Sequence, residues 1–344
     1  MTSDARFDAL CRWLEQILPA PLVSIAPASA DASFRRYFRL SLADEVVVPD
    51  RAQRVRTLIA MDAPPAHEDC RPYVVVAELL AGASVHAPAV LAQDLARGFL
   101  LLTDLGTRTY LAELNDATAP TLYRDAIGAL IRWQRASRDG VLPRYDEALL
   151  ARELALFPEW YIEKHLGIAL SDAQQATLAS AFRLILDNNL AQPKVYVHRD
   201  YHSRNLMLTE PNPGVLDFQD AVYGPITYDL VSLLRDAYVA WDEESQLDWA
   251  VRYWERAREA HLPVADDFAD FWRDFEWMGV QRQFKVLGIF ARLYHRDSKD
   301  GYLNDMPLVM RYLRGACARY RAFGPLLKLL DELEQRQPVA GYTF

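Results

Sequence analysis

The stretch VYVHRDYHSRNLMLTEPNPGVLDFQDAVYGPITYD, Val195 to Asp229, decides how the chain is read. A β-branched run, Val195 to Val197, delivers His198, Arg199 and Asp200. Asn205 comes five residues after Asp200, and the apolar run Leu206 to Leu208 predicts a strand. Pro211, Asn212, Pro213 and Gly214 make a turn. Val215 and Leu216 form a second short strand that ends at Asp217, Phe218, Gln219 and Asp220. The two hairpin strands are expected to set Asp200, Asn205 and Asp217 at one end of a β-ribbon.

That set suits phosphoryl transfer. A divalent cation on triphosphate oxygens wants hard oxygen ligands, and an Asn carbonyl with an Asp carboxylate supplies them. A separate carboxylate, Asp200, can orient a substrate hydroxyl and accept its proton. H-R-D, four residues, N, then a D-F dipeptide is the spacing of a kinase catalytic loop. The segments VHRDYHSRNLML and VLDFQDA resemble the catalytic and metal-binding motifs of the aminoglycoside phosphotransferase-like branch of the protein-kinase-like fold. The resemblance implies Asp200 as base, Asn205 and Asp217 as Mg2+ ligands and ATP as phosphate donor. A rival reading takes His198, Asp200 and His202 as an H-x-D-x-H transition-metal site. It leaves Asn205 without a role and finds no further histidine cluster among the seven. The two histidines are then expected to order the loop through backbone hydrogen bonds.

The chain of 344 residues is 51% hydrophobic and 25% charged, which predicts a globular protein with ample core. Its net charge is −9 and no Lys/Arg block occurs, so a nucleic-acid partner is not expected. Cys11, Cys70 and Cys317 are odd in number and far apart, fit no zinc or disulfide spacing, and suggest a reducing compartment. Asp4 and Asp8 interrupt any signal-peptide layout, and no apolar run reaches transmembrane length. The expectation is a soluble cytoplasmic protein with no membrane partner, its oligomeric state left open.

Phe7, Leu10, Cys11, Leu14 and Leu18 predict an amphipathic helix. Leu22–Ala28 and Phe34–Leu42 are expected as a hairpin over the nucleotide phosphates, its tip carried by Ser29 to Phe34, with Arg35 beside it. Kinases place glycines there; this tip has none, and small residues such as Ser33 stand in. Arg56–Asp62 predicts the strand that carries a phosphate-pairing Lys in kinases, and the matching position holds Met61. Arg35 or Arg36 is expected to supply the charge. Asp69–Ala81 resembles the helix whose Glu orients that Lys, which points to Glu78. Ala87–Leu95 and Gly98–Leu105 read as strands, and the second resembles the hinge where backbone near Thr103 to Leu105 meets adenine. The cofactor-binding set is therefore Ser33, Phe34, Arg35, Glu78, Thr103 and Leu105.

Beyond Thr107 the spacing turns helical: Leu111–Leu114, Ala119–Ser137, Glu147–Leu166, Asp172–Asn189, a helix starting near Asp229, then helix upon helix from Ser245 to Leu333. Asp229 holds the family's position for a carboxylate that braces the catalytic loop. The fold class expected is α+β, a two-lobed protein-kinase-like fold with a β-rich nucleotide-binding part, 1–106, and a helical part, 107–344.

Arg282, Lys285 and Arg292 fall near one face of the segment Phe275 to Asp297, where cations are costly unless paired or set in a cavity. Trp160, Tyr161, Trp277 and Tyr294 can stack on sugar faces. Phe275–Asp297, Phe157–Gly167 and Asp104–Leu111 are similar to a narrower group, the anomeric sugar kinases of bacterial cell-wall recycling. That resemblance implies an amino sugar as partner, with N-acetylmuramate and N-acetylglucosamine phosphorylated at the C1 hydroxyl; the cations and aromatics of the helical part make Trp160, Arg282 and Lys285 the expected substrate residues. An aminoglycoside kinase would need an acidic cleft. A choline- or homoserine-type kinase would share every catalytic residue, and a pseudokinase rests on Met61.

Overall fold

In the computed structural model, which describes residues 4–29, 34–48 and 53–335, the chain divides into two compact units. One holds residues up to Glu113 together with Asn205–Asp220; the other holds Leu114–Arg204 and everything from Ala221 on.

The first unit is built on β-branched and aromatic alternation. Its strands are β1 (Leu22–Ser29), β2 (Arg36–Val48), β3 (Gln53–Asp62), β4 (Val90–Asp94) and β5 (Phe99–Thr103). They form one antiparallel sheet in the order β1-β2-β3-β5-β4. Successive side chains on a strand point to opposite faces, so Phe38, Leu40 and Leu42 of β2 turn to one side. There they meet Leu10, Trp13 and Leu14 of α1 (Ala5–Ile17), whose buried residues lie one helical turn apart. Asp4 caps α1 by accepting the Phe7 N–H. β2 runs past the expected Leu42 to Val48, because Val46 to Val48 find partners in Gln53 to Val55. A second helix, α2 (Arg71–Gly82), buries Tyr73, Val76, Ala77 and Leu80.

Asn205–Asp220 belongs to this unit through its hydrogen bonds. Strands β7 (Leu206–Met207) and β8 (Gly214–Val215) pair with each other. Leu208 donates its N–H to Arg108 O at 2.8 Å, and Val215 donates to His86 O at 2.7 Å. Asn212 Nδ2 donates to the hydroxyl of Tyr110, a residue of the short α3 (Tyr110–Glu113).

The second unit is helical: α4 (Ala119–Arg135), α5 (Glu147–Leu156), α6 (Asp172–Ala191), α7 (Tyr228–Leu234), α8 (Glu243–Glu259), α9 (Phe268–Asp297), α10 (Met306–Arg319) and α11 (Gly324–Leu333). Its only regular strands among the described residues, β6 (Lys194–Val197) and β9 (Val222–Pro225), pair antiparallel. The expected hairpin of Leu206–Leu208 with Val215–Leu216 is present as β7 and β8, while Val195–Val197 pairs with the segment after the hairpin. α9, 30 residues long, is the unit's axis, packed against α5, α6, α7 and α10, and it is buried on nearly every side. Gly288 lets α5 cross it closely, since a Cβ there would lie 2.5 Å from the Leu156 backbone.

The expected helix Glu147–Leu166 changes character midway. Pro158 has no N–H to give the turn before it, and Phe157–His165 widens into a π-helix. The Leu166 N–H then reaches Tyr161 O, five residues back, at 3.0 Å.

Candidate active site

Asn205 and Asp217 face each other across the open end of the β7–β8 ribbon. Leu216 donates its N–H to Asn205 O at 2.9 Å, which closes the ribbon, and Asn205 Nδ2 lies 3.4 Å from Asp217 Oδ2. Asp217 has φ +61°, the left-handed region that a short polar side chain tolerates; strained backbone of this kind gathers at functional sites. Phe218, fully buried against Tyr73 at 4.6 Å, anchors the turn. Gln219 Nε2 donates to Asp217 Oδ1 at 2.9 Å and to Asp220 Oδ2 at 3.2 Å. The Gln219 Oε1 is buried without a hydrogen-bond partner. The donor set is an amide and two carboxylates, all hard oxygens, and it fits a small divalent cation that keeps water and phosphate in its remaining positions.

Arg35 is the cation of this end. Its Nε donates to Glu68 at 3.2 Å and its Nη2 lies 4.0 Å from Asp220. Burial weakens its charged form, but Tyr37, Glu68 and Asp217 outweigh that and hold its pKa above the ordinary guanidinium value. Arg36 is not available as the alternative. With Arg6 it clamps Asp62, a fully buried carboxylate, Nε of each lying 3.1 and 3.0 Å from it, and it also pairs with Asp4. Met61 is buried in the sheet. Glu78 does not join this group: it sits on the exposed face of α2, opposite Tyr73, Val76 and Ala77, and Glu68 in the preceding loop carries the carboxylate that meets Arg35. Ser33 lies outside the described residues. Phe34 is exposed and stacks on the His67 ring at 4.4 Å.

A cavity of about 240 Å³ opens beside β5, lined by Val48, Val55, His86, Thr103, Leu105 and Leu208 among others. The Thr103 hydroxyl accepts the Ala89 N–H at 2.9 Å and its own N–H donates to Ala89 O, so this residue shapes the wall. Arg39 forks onto Asp104 at 2.7 and 3.0 Å and fixes the segment between Thr103 and Leu105. Gly214 lets β8 approach, since a Cβ would stand 2.8 Å from Leu105 Cδ1.

In the second unit, Asp200 follows β6 on a loop held by backbone anchors. Asp229, at 0% exposure, accepts the His198 N–H at 2.6 Å and the Arg199 N–H at 2.9 Å. Burial pushes its carboxyl up to about 7, against the pull of those two donors. Asp236 accepts the Ser203 N–H at 2.9 Å further along the loop. The Asp200 N–H donates to His198 Nδ1 at 3.3 Å, the loop-ordering role expected of that histidine. Burial lowers the His202 pKa, against the attraction of Asp236 and Asp200. Among the described residues no group of three or more His, Cys, Asp or Glu side chains is arranged to hold a metal, so the His198–Asp200–His202 reading gains no further ligand.

Asp200 itself sits among cations. Burial raises its pKa, but Lys285, His202, Arg199 and Arg282 together hold it well below the usual carboxylate range. It therefore stays an ionised acceptor. Lys285 is already engaged: Nζ donates to the Tyr228 hydroxyl at 3.0 Å and lies 3.4 Å from Glu153. Arg282, at 4% exposure, keeps a buried Nη1 without a partner. Trp160 is half-buried on the π-helical turn, whose Phe157 packs on Phe284 of α9 at 4.6 Å. Glu68, Glu153, Tyr145, Tyr228 and Asp236 were not singled out from the sequence. Glu153 alone carried a signal there, a carboxylate on the apolar stripe of α5 between Leu150 and Leu154.

An antiparallel sheet unit, a helical unit, an H-R-D loop with Asn five residues on and an acid after the next strand together define a protein-kinase-like phosphotransferase. Solved structures share the fold. Aminoglycoside phosphotransferase APH(2″)-Ib with ADP bound superposes with a TM-score of 0.54 at 15% identity, over 90% of this chain and 98% of that one. The ethanolamine kinase of Plasmodium vivax gives 0.60 at 12% identity, over 92% and 89%. The chain belongs to the phosphotransferase enzyme family, whose model matches residues 24–268. Its relatives include the N-acetylmuramate/N-acetylglucosamine kinases of Pseudomonas aeruginosa, 50% identical over 97% of this chain and 99% of that one, and of Neisseria meningitidis, 47% identical over 97% and 98%. The expected α+β, protein-kinase-like fold class is borne out by these neighbours and by the sheet and helical units.

Proposed function

We propose that the chain phosphorylates the anomeric C1 hydroxyl of N-acetylmuramate and N-acetylglucosamine with ATP as donor. The observation that carries this is identity of about half the residues, over nearly the whole length, to relatives named for those two sugars. Asp200 accepts the hydroxyl proton as the sugar oxygen attacks the γ-phosphorus, and ADP leaves with the bridging oxygen. A hemiacetal hydroxyl is more acidic than an ordinary alcohol, so a weak, ionised carboxylate suffices, and its main work is to aim the nucleophile. Asn205 and Asp217 hold Mg2+, which when bound neutralises charge on the phosphate oxygens. Arg35 stands in for the absent Lys at Met61, and the cavity at Thr103 and Leu105 takes adenine. Trp160 and Arg282 lie on the sugar side. No helix among the described residues is long and apolar enough to cross a membrane, and burial lifts the Cys70 and Cys317 thiols to about 11 and 12; the reading sets the enzyme in the cytoplasm, where ATP is supplied.

The test is purified protein with ATP, Mg2+ and a panel of amino sugars, aminoglycosides and choline, scored for ADP and for the phosphorylated carbon. Phosphate on C1 of the two amino sugars is the expected result. Phosphate on another carbon overturns the anomeric assignment, and turnover on choline or aminoglycosides alone overturns the substrate class.

A further inference from the structure

Glu153 lies on the buried stripe of α5 at 5% exposure. A carboxylate in that position is costly unless its lone pairs are taken. They are taken three times. The Tyr145 hydroxyl donates to Oε2, Arg199 Nη2 donates to Oε1 at 2.6 Å, and Lys285 Nζ stands 3.4 Å from the same Oε1. Tyr228 accepts from Lys285 on the other side at 3.0 Å, and the Arg199 guanidinium lies over the Tyr145 ring at 5.6 Å. Arg199 is also the residue before Asp200, with φ +77° and its N–H on Asp229.

We infer that Glu153 is a positioning residue for phosphoryl transfer: it fixes Arg199 and Lys285 as permanent counter-charges beside Asp200. The inference rests on the kinase reading above, and it removes Lys285 from the sugar ligands. Two consequences follow from the geometry. Lys285 shares one carboxylate with Arg199, so neither cation can turn toward a substrate without leaving Glu153 buried and under-paired. Arg199 is covalently joined to Asp200, so a displaced guanidinium strains the peptide that carries the base. Glu153 touches no reacting atom in this scheme and acts through the two cations.

The ammonium of Lys285 is faced by Glu153 of α5, by Tyr228 of α7 and by Arg199 and Asp200 of the loop after β6. Burial favours its neutral form, and Glu153, Tyr228 and Asp200 outweigh burial and keep it charged. Without the Glu153 charge the ammonium deprotonates at lower pH.

The experiment compares Glu153→Gln, Glu153→Asp, Lys285→Met and the double variant Glu153→Gln/Lys285→Met. Each is assayed with ATP, Mg2+ and N-acetylglucosamine, after circular dichroism has shown native helix content. Glu153→Gln is expected to lower kcat by about 10²-fold, the effect of misplacing a reacting group, with KM for ATP within about twofold. Glu153→Asp restores part of kcat. The double variant loses no more than the worse single one, because both changes break one unit. Additive losses, no rescue by Glu153→Asp or wild-type kcat in folded Glu153→Gln overturn the inference. Where Glu153→Gln fails to fold, Lys285→Met decides: an unchanged kcat overturns it. A wild-type enzyme inactive on every sugar overturns the substrate reading instead, and the same variants are then compared by Mg2+-dependent ATP hydrolysis with water as acceptor.

Discussion

Asp200 and Arg282 illustrate what single side chains contribute. The cations around Asp200 hold it below the usual carboxylate range, which in the proposed reaction makes it an aiming group and a weak base. Replacing it by Asn keeps size and one acceptor oxygen but removes the charge. Asp200→Asn is therefore expected to bind ATP nearly as before, while kcat falls by orders of magnitude, the signature of an interaction made mainly in the transition state. Titration of ATP against the variant, beside its turnover, checks this; parallel loss of both would mark a structural residue. Arg282 is a different case. Its Nη1 is buried without a partner, a state that costs free energy unless a ligand completes it. N-acetylmuramate carries a lactyl carboxylate that N-acetylglucosamine lacks. A desolvated arginine donating to it contributes roughly 1.5–3 kcal/mol, or about 10- to 100-fold in affinity. Arg282→Ala should raise KM for N-acetylmuramate by that factor and leave N-acetylglucosamine nearly unchanged, as steady-state kinetics on the two sugars would reveal.

At the scale of elements, α9 and the turn that crosses it shape the helical unit. The crossing at Gly288 leaves no room for a methyl group, since a Cβ would meet the Leu156 backbone at 2.5 Å. Ala is the better helix former by up to about 1 kcal/mol, but overpacking a core costs about 1–3 kcal/mol. Gly288→Ala should come out less stable, with a lower denaturant midpoint and an unchanged slope. A stabilised variant would mean that α5 can move aside. The π-helical turn shows how an element can depart from its pattern. Apolar residues recur at helical spacing through Glu147–Leu166, yet Pro158 withholds an N–H and the hydrogen bonds lengthen to five residues.

For the molecule as a whole, the sheet unit carries the Asn205–Asp217 pair, Arg35 and the cavity beside β5. A ligand that binds only the native state stabilises it by about 2.7 kcal/mol at a hundred times its dissociation constant. Mg2+ with ATP should therefore raise the melting temperature of the full chain, and chelation should abolish turnover. In Asp217→Ala the fold should persist while turnover collapses and the Mg2+-dependent part of the thermal shift disappears. Calorimetry with and without Mg2+ gives the answer, and near-normal turnover of the variant at saturating Mg2+ would reject Asp217 as a ligand.

Much of this was present in the residues taken by themselves. The span from His198 to Asp220 is short in sequence, so spacing alone constrains it: a strand, a loop and a tight hairpin leave Asn205 and Asp217 little choice but to meet at the ribbon's end. Apolar periodicity located α1, α4, α6 and the long run of C-terminal helices for the same reason, since helix and strand repeat over a few residues. What only the tertiary structure decided was who pairs with whom. Arg35 takes Glu68 rather than Glu78, Arg36 is drawn to Asp4 and Asp62, and Lys285 shares Glu153 with Arg199. Residues far apart in the chain make these pairs, and the strength of the buried ones, Arg199 and Lys285 on Glu153, comes from removal from water. Desolvation is set by what packs around a charge once the chain has folded, and a linear sequence holds no record of it.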